Sequence, residues 1–268
     1  MTDRQGGNAS SGDLLAGARA ESGLGKLWNL IWRRRGDTYR TIVVAVLIAL
    51  GVRTFLYEPF NIPSGSMKPT LLIGDYLFVS KFSYGYSKHS FPWSFAPFDG
   101  RILGSEPERG DVIVFKTPAD NRTDYIKRLI GLPGDRIQVR QGRLYINDQE
   151  VQRDYVGEGP ENCGLGKVQV FKETLPGGKQ HEIWECSDEA NYDNTQVFTV
   201  PPDHYFMMGD NRDNSQDSRT TAVGFVPAEN LIGRAEFLFF SHSDEGSFWE
   251  VHKWPEMIRW NRLLMGVN

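Results

Sequence analysis

Hydrophobic positions along this chain follow two rhythms. From Thr41 to Val52, TIVVAVLIALGV, twelve residues pass without a charge between Arg40 and Arg53. At a rise of about 1.5 Å per residue that run covers about 18 Å of a hydrocarbon layer near 30 Å thick, a length that also suits a core helix or a signal-peptide core. Carrying it through Phe55, Leu56 and Tyr57 lengthens it to about 26 Å, provided Arg53 extends its guanidinium toward the headgroups. Trp28, Trp32 and Tyr39 precede the run, as do Arg33, Arg34, Arg35 and Arg40, a positive-inside arrangement that puts the N-terminus in the cytoplasm. A removed signal peptide is the alternative, but no Ala-x-Ala site follows Val52. The pattern predicts a retained transmembrane helix over 41–57 behind a cytoplasmic tail, 1–40, which begins as a loose Gly-, Ser-, Ala- and Asp-rich stretch.

Beyond Tyr57 the rhythm shortens to strands separated by turn chemistry. Leu77–Phe82, Asp111–Lys116 and Arg234–Phe240 are rich in Val, Ile and Phe, the composition of pleated, half-buried segments. Arg136–Arg140 and Arg143–Ile146 flank Gln141-Gly142, a two-residue connection suited to a hairpin with Gly at positive φ. Leu132-Pro133-Gly134-Asp135 and Leu175-Pro176-Gly177-Gly178 supply further turns. Outside the anchor only Leu14–Ile31 and Glu256–Leu264 carry a helical pattern. The predicted fold is therefore mainly β: an antiparallel core, 58–146 and 200–268, interrupted by an inserted smaller lobe, 147–199. Phe82, Tyr84, Tyr86, Phe91, Trp93, Phe95 and Phe98 form one aromatic cluster and Phe248, Trp249, Trp254 and Trp260 another. Both suit an interfacial surface, or a core for part of their rings.

Composition narrows the function classes. With 40% of 268 residues hydrophobic and 24% charged, disordered, collagen-like and disulfide-scaffold chains are excluded. A net charge of −4 without a long basic tract argues against a nucleic-acid partner. The charge is split, since residues 1–40 hold seven Lys and Arg against four Asp and Glu, and the remainder 23 against 30. A basic inner end and an acidic exported part fit the predicted topology. Cys163 and Cys186 lie in the exported part, where an oxidising compartment permits a disulfide; two unrelated thiols are the alternative. Their spacing carries no metal-site signature.

Three segments concentrate chemistry. In Pro63-Ser64-Gly65-Ser66-Met67-Lys68-Pro69-Thr70-Leu71 two prolines stiffen a Ser-Gly-Ser turn, which can hold a hydroxyl out from a rigid loop. Taken alone it reads equally as a connector. A serine nucleophile needs a base, yet none of the five histidines sits in a triad context and no G-x-S-x-G elbow exists. A lysine can serve where its surroundings lower its pKa. In Asp124-Tyr125-Ile126-Lys127-Arg128-Leu129-Ile130-Gly131-Leu132-Pro133-Gly134-Asp135, a strand would put Tyr125, Lys127 and Leu129 on one face and Ile126, Arg128 and Ile130 on the other. In isolation a strand lysine is usually a solvated surface residue. The third segment, Gly209 to Arg219, GDNRDNSQDSR, is dense in short polar side chains that brace loops. It mimics a calcium loop at Asp210, Asp213 and Asp217, but Ser215 and Thr221 stand where that template needs Gly and Glu. No metal and no cofactor are expected.

Together these blocks, with Arg109–Phe115 (RGDVIVF) between them, resemble the bacterial type I signal peptidases, membrane-anchored Ser/Lys endopeptidases, in the family's order from about Arg53 to Phe240 and most weakly across 147–199. The resemblance implies Ser66 as nucleophile and Lys127 as general base. It gives Ser64 and the Ser66 N–H to an oxyanion hole, and Ser215 to orient Lys127. It pairs Asp210 with Arg128 and Asp217 with Arg219 as braces. Phe60, Ile62, Pro63, Met67, Leu71, Tyr125 and Ile126 would line small substrate pockets that admit Ala-like side chains. The implied partners are signal peptides of exported preproteins and the lipid bilayer, near the secretion translocon, with the catalytic part on the extracytoplasmic side of the bacterial inner membrane. Some members carry two N-terminal spans where this chain offers one, and Thr220–Val223 departs from the family pattern. A self-cleaving repressor protease would need a DNA-binding domain in place of the anchor, and a non-enzymatic β module would leave the Ser/Lys blocks without purpose.

Overall fold

The computed structural model describes residues 23–91, 100–164, 166–243 and 254–267, with side chains from Thr38 onward. The chain divides into two compact units, 1–50 and 51–268. In the first, α1 (Gly23–Phe55) is a continuous helix. Its window Thr38–Phe55 is long and apolar enough to cross a membrane, and Ile42, Leu47, Ile48 and Leu50 along it are exposed. The helix stops short of the expected boundary at Tyr57, because Tyr57 already pairs with Ser80 as the first residue of a strand. The segments expected as tail and anchor are joined in this one helix. The N-terminal part of the expected Leu14–Ile31 helix lies outside the described residues, as do the side chains of Trp28 and Trp32 and all of Trp93, Phe95, Phe98, Phe248 and Trp249.

The second unit is built from antiparallel strands. The large sheet takes β1 (Tyr57–Asn61), β2 (Asp75–Ser80), β3 (Val112–Lys116) and β4 (Asp124–Gly131). The smaller sheets use β5 (Arg136–Arg140), β6 (Arg143–Ile146), β7 (Gln149–Glu150), β8 (Gln152–Cys163), β9 (Gly166–Thr174), β10 (Gln180–Glu185) and β11 (Phe198–Thr199). The chain then returns to the large sheet as β12 (His204–Met208), β13 (Val226–Pro227) and β14 (Leu231–Ser241). The orders are β1-β2-β14-β3-β4-β12-β13, β10-β9-β8 and β11-β5-β6-β7. The β5–β6 hairpin turns at Gln141 and Gly142, both at positive φ (47° and 69°), as a right-twisted two-residue connection requires. Cys163, at the end of β8, is disulfide-bonded to Cys186, just after β10.

Burial explains why β3 and β4 do not alternate. Val112 to Phe115 are all buried, as are Lys127 to Gly131, because both faces of these central strands are covered. Val112 and Val114 pack with Ile62, Met67, Leu71 and Leu77, while Ile113 and Phe115 pack with Leu129, Tyr205 and Met207. A central strand covered on two sides can bury a polar side chain on either. The C-terminal segment is not the helix expected over Glu256–Leu264. It makes one short turn, α2 (Trp254–Met257), and a 3₁₀ turn at Trp260–Arg262. It then runs beside β14, where Leu264 N donates to Leu238 O (2.8 Å) and Leu238 N to Met265 O (2.9 Å), so strand partners replace the helical ones. Of the aromatic clusters, Tyr84 is core, Phe82 and Trp260 are exposed, and Tyr86 and Phe91 pack against Phe55 and each other.

Candidate active site

β1 runs into the Pro63-Ser64-Gly65-Ser66 turn, which tightens into a single 3₁₀ turn over Gly65–Met67 with extended Ser64 at its start. Two anchors hold it. Met67, fully buried, pins the turn into the core from below. From the side, Asn211 N donates to Ser66 O (3.1 Å) and Asn211 Nδ2 to Gly65 O (3.0 Å). The Ser66 hydroxyl is thereby presented from a fixed backbone, with Ser64 Oγ 3.4 Å away.

The antiparallel register pairs Lys127 with Ile113 and directs its side chain to that hydroxyl. Lys127 Nζ lies 2.7 Å from Ser66 Oγ and donates to Ile126 O (2.9 Å). The amine is buried and sits 5.3 Å from the centre of the Tyr125 ring. Burial pulls its pKa down to about 8, against the opposing pull of Asp217 and Asp210. A neutral amine is thus populated near neutral pH beside a hydroxyl, the arrangement that activates a serine without histidine.

The turn after β12 braces both groups. Arg128, fully buried, grips Asp210 through Nε (2.8 Å to Oδ1) and Nη2 (2.7 Å to Oδ2) and donates to Gly110 O through Nη1 (2.8 Å). Thr70, four residues after Ser66, also donates to Asp210 (2.5 Å). Asp217 accepts from Arg219 Nε and Nη2 (3.0 and 2.9 Å) and from Gly209 N (3.0 Å). Burial pushes both carboxyls up, but the paired guanidinium of each holds it below the usual carboxylate range. Next to them Arg212 is paired with Glu173 of β9 through both terminal nitrogens. His181 lies 3.5 Å from Glu173 and 3.9 Å from Asp210, its pKa pulled down to about 4 chiefly by burial.

The serine and lysine open onto a groove of about 700 Å³. One bank is Phe60 to Ser66, the other Thr123 to Lys127, and Tyr192 with Asp213 to Gln216 close the end. Tyr125 Oη donates to Gln216 Oε1 (3.0 Å) at the rim. Apolar Phe60, Ile62, Val114 and Ile126 and polar Asn61, Asp124 and Asn214 share its lining.

Residues 35–240 match the model of the family described as signal peptidase, peptidase S26. The chain belongs to that family. Curated relatives named "Signal peptidase I" include one from Rickettsia canadensis, 43% identical over 85% of this chain and 92% of the relative. Another, from Rickettsia conorii, is 46% identical over 83% and 89%. A crystal structure of a signal peptidase I from Enterococcus faecalis V583 aligns at 28% identity over 48% of this chain and 97% of that one, with a TM-score of 0.30. This S26 chain is accordingly a serine peptidase.

Sequence reading and structure differ in two respects at the site. Phe60, Ile62, Pro63, Tyr125 and Ile126 line the groove, whereas Met67 and Leu71 lie beneath it, fully buried among Leu77, Val79 and Leu238. The 3₁₀ turn rotates Met67 away from Ser66's side, so these two support the floor and do not form it. The expected bond from Ser215 to Lys127 is not formed. Ser215 Oγ is buried and makes no bond to Lys127, and it packs so close to Gly209 that a Cβ there would stand 2.2 Å from it. Lys127 Nζ is already engaged by Ser66 and Ile126. Asn211, Thr70 and the Glu173–Arg212 pair escaped the sequence reading. Asn211 and Thr70 sit inside the quoted motifs, while Glu173 is 39 residues from Arg212 in a segment with no motif at all.

Proposed function

We propose that this S26 peptidase is a membrane-anchored signal peptidase that uses Ser66 as nucleophile and Lys127 as general base to release signal peptides from exported preproteins. The observation that carries the reading is the 2.7 Å contact between a buried lysine amine and a serine hydroxyl at the foot of a groove. Neutral Lys127 takes the Ser66 proton as Oγ attacks the scissile carbonyl. The Ser66 N–H and the Ser64 hydroxyl face the oxygen that gains charge, where such donors contribute a few kcal/mol. Lys127, now an ammonium, gives its proton to the departing amine, leaving an ester on Ser66. Water then enters, Lys127 takes its proton, and hydroxide adds to the ester to return free serine and a new carboxylate.

Phe60, Ile62, Pro63, Tyr125 and Ile126 favour small residues of the Ala-x-Ala type and exclude water from the lysine. One structural element therefore serves both specificity and base strength. The span ending at Phe55 leaves Ser66 eleven residues beyond it. A signal peptide emerging from the bilayer near the translocon thus meets the serine at raised effective concentration. The basic residues before the span place 1–40 in the cytoplasm and the β unit on the extracytoplasmic side of the inner membrane. In this reading 58–146 and 200–268 form the catalytic core and 147–199 an inserted lobe.

The deciding measurement is cleavage of a purified preprotein by the full chain. Ser66→Ala and Lys127→Ala should each lose about 10³-fold or more in kcat/KM with unchanged circular dichroism. A folded variant of either kind with full activity would sink the assignment.

A further inference from the structure

Away from the Ser66–Lys127 pair, three carboxylates converge where the end of β10, the Ser187–Asp193 loop and the turn after β12 meet. One ligand oxygen each from Glu185, Asp193 and Asp213 lies within 4.8 Å of the others. Each aspartate spends its second oxygen on backbone. Asp193 Oδ2 accepts from Ala190 N (2.6 Å), and Asp213 Oδ2 accepts from Cys186 N (2.7 Å) and Ser187 N (3.2 Å). Both are thereby locked with Oδ1 free. Independently of this clustering, Glu185 is 2% exposed and neither of its oxygens has a hydrogen-bond partner among the described residues. The free Oδ1 atoms of Asp193 and Asp213 are orphaned as well. Four buried carboxylate oxygens without donors in one place call for a bound cation or a shared proton, since native interiors leave few such groups unpaired.

Two of the nearby arginines are paired with other carboxylates. Arg212 is spent on Glu173 and Arg219 on Asp217. Arg153 makes a buried 3.5 Å ion pair with Glu185 and also donates to Gly142 O (3.1 Å) and Asp188 (2.9 Å), so one positive charge faces three carboxyl groups. We propose that Glu185, Asp193 and Asp213 form a binding site for a hard divalent cation, Ca²⁺ in character, that clamps the loop after Cys186 to the turn leading to Ser215. Two oxygens on opposite sides of a Ca²⁺ at about 2.4 Å are about 4.8 Å apart, and irregular carboxylate sets suit Ca²⁺ better than the strict octahedron of Mg²⁺. Asp213 also lines the groove, so the proposed cluster adjoins it. Without an ion, burial pushes the Glu185 carboxyl up to about 9, so the cage resists carrying its full negative charge alone.

The test uses the full chain in detergent after EDTA treatment. Calorimetric titration with CaCl₂ should saturate at one ion per chain with a Kd below about 1 mM. TbCl₃ luminescence excited through the neighbouring Trp184 should saturate and be displaced by Ca²⁺. The ion should raise the melting temperature by about 2–4 °C. Glu185→Gln and Asp193→Asn preserve shape, and the amide oxygen introduced by the second still accepts from Ala190 N. Each should weaken binding at least about tenfold and abolish the melting shift. Absence of saturable binding up to about 10 mM Ca²⁺, or binding undiminished in both variants, overturns the proposal. So does the pattern of a proton shared between Glu185 and Asp193: a wild-type chain indifferent to Ca²⁺ and a Glu185→Gln chain equally stable. If one variant does not fold, wild-type binding and the other variant still decide.

Discussion

A buried amine is costly to charge, and Lys127 carries that cost in the role proposed for it. Its pKa of about 8 in the folded chain lies below that of a free lysine near 10.4. Below about pH 8 the folded state must hold the ammonium in its apolar site; between the two values only the unfolded chain keeps the proton, so stability falls as pH drops from about 10.4 to about 8 and is lowest below that window. Lys127→Met should therefore stabilise the fold at pH 7 by about 2–3 kcal/mol while abolishing cleavage, measurable as an upward shift in urea midpoint. The same titration governs activity. kcat/KM on a soluble peptide should fall about tenfold per unit as pH drops below about 8, and an inflection at the free-lysine value would contradict a desolvated base. Gly209 is the second residue on which the site depends. A Cβ there would stand 2.5 Å from Ser66 O and 2.2 Å from Ser215 Oγ, so Gly209→Ala should cost more activity than stability by displacing the nucleophile turn.

β4 is the element that joins stability to chemistry, because successive residues face opposite ways and both faces are covered. Lys127 turns to the serine and Arg128 to Asp210. The guanidinium ties the strand to the turn after β12 and, through Thr70 on Asp210, to the nucleophile segment. Truncating one partner leaves a buried charge unpaired, so Asp210→Ala should destabilise by about 3–5 kcal/mol in denaturant unfolding. The opposite facing of Lys127 and Arg128 was legible once the Asp124–Asp135 segment was read as a strand. The strand's two-sided burial was not, since only the positions of β3, β12 and the 3₁₀ turn reveal which face each residue meets. Met67 and Leu71 failed for the same reason: apolar residues beside a serine read as pocket walls until the turn's rotation shows them in the core.

At the scale of the whole molecule, the chain divides into units 1–50 and 51–268. Deleting the first should leave cleavage of short soluble peptides nearly unchanged and slow the processing of a preprotein embedded in vesicles by about 10² or more, the loss of effective concentration. Equal slowing on both substrates would assign the helix a role in folding instead. The Cys163–Cys186 bond closes a loop of 23 residues across β8, β9 and β10, and replacing both by Ser should cost about 3 kcal/mol. The aromatic clusters divided between core and surface as ring position dictated: Tyr84 inside beside Asp111, Trp260 outside.

The sequence by itself determined the family, the strand-rich character and the Gln141-Gly142 hairpin, and it singled out Ser66 and Lys127 as candidates, because each depends on local pattern or on ordered motifs. The cysteine pairing stayed open, and so did every contact between distant segments. Only the tertiary structure brought Ser66 to Lys127 across 61 residues, placed Arg212 on Glu173, and gathered Glu185, Asp193 and Asp213 around one point. The physical reason is common to all three. Burial and long-range electrostatics depend on which faces the sheet covers, and that is set by register and strand order, quantities that no local spacing encodes.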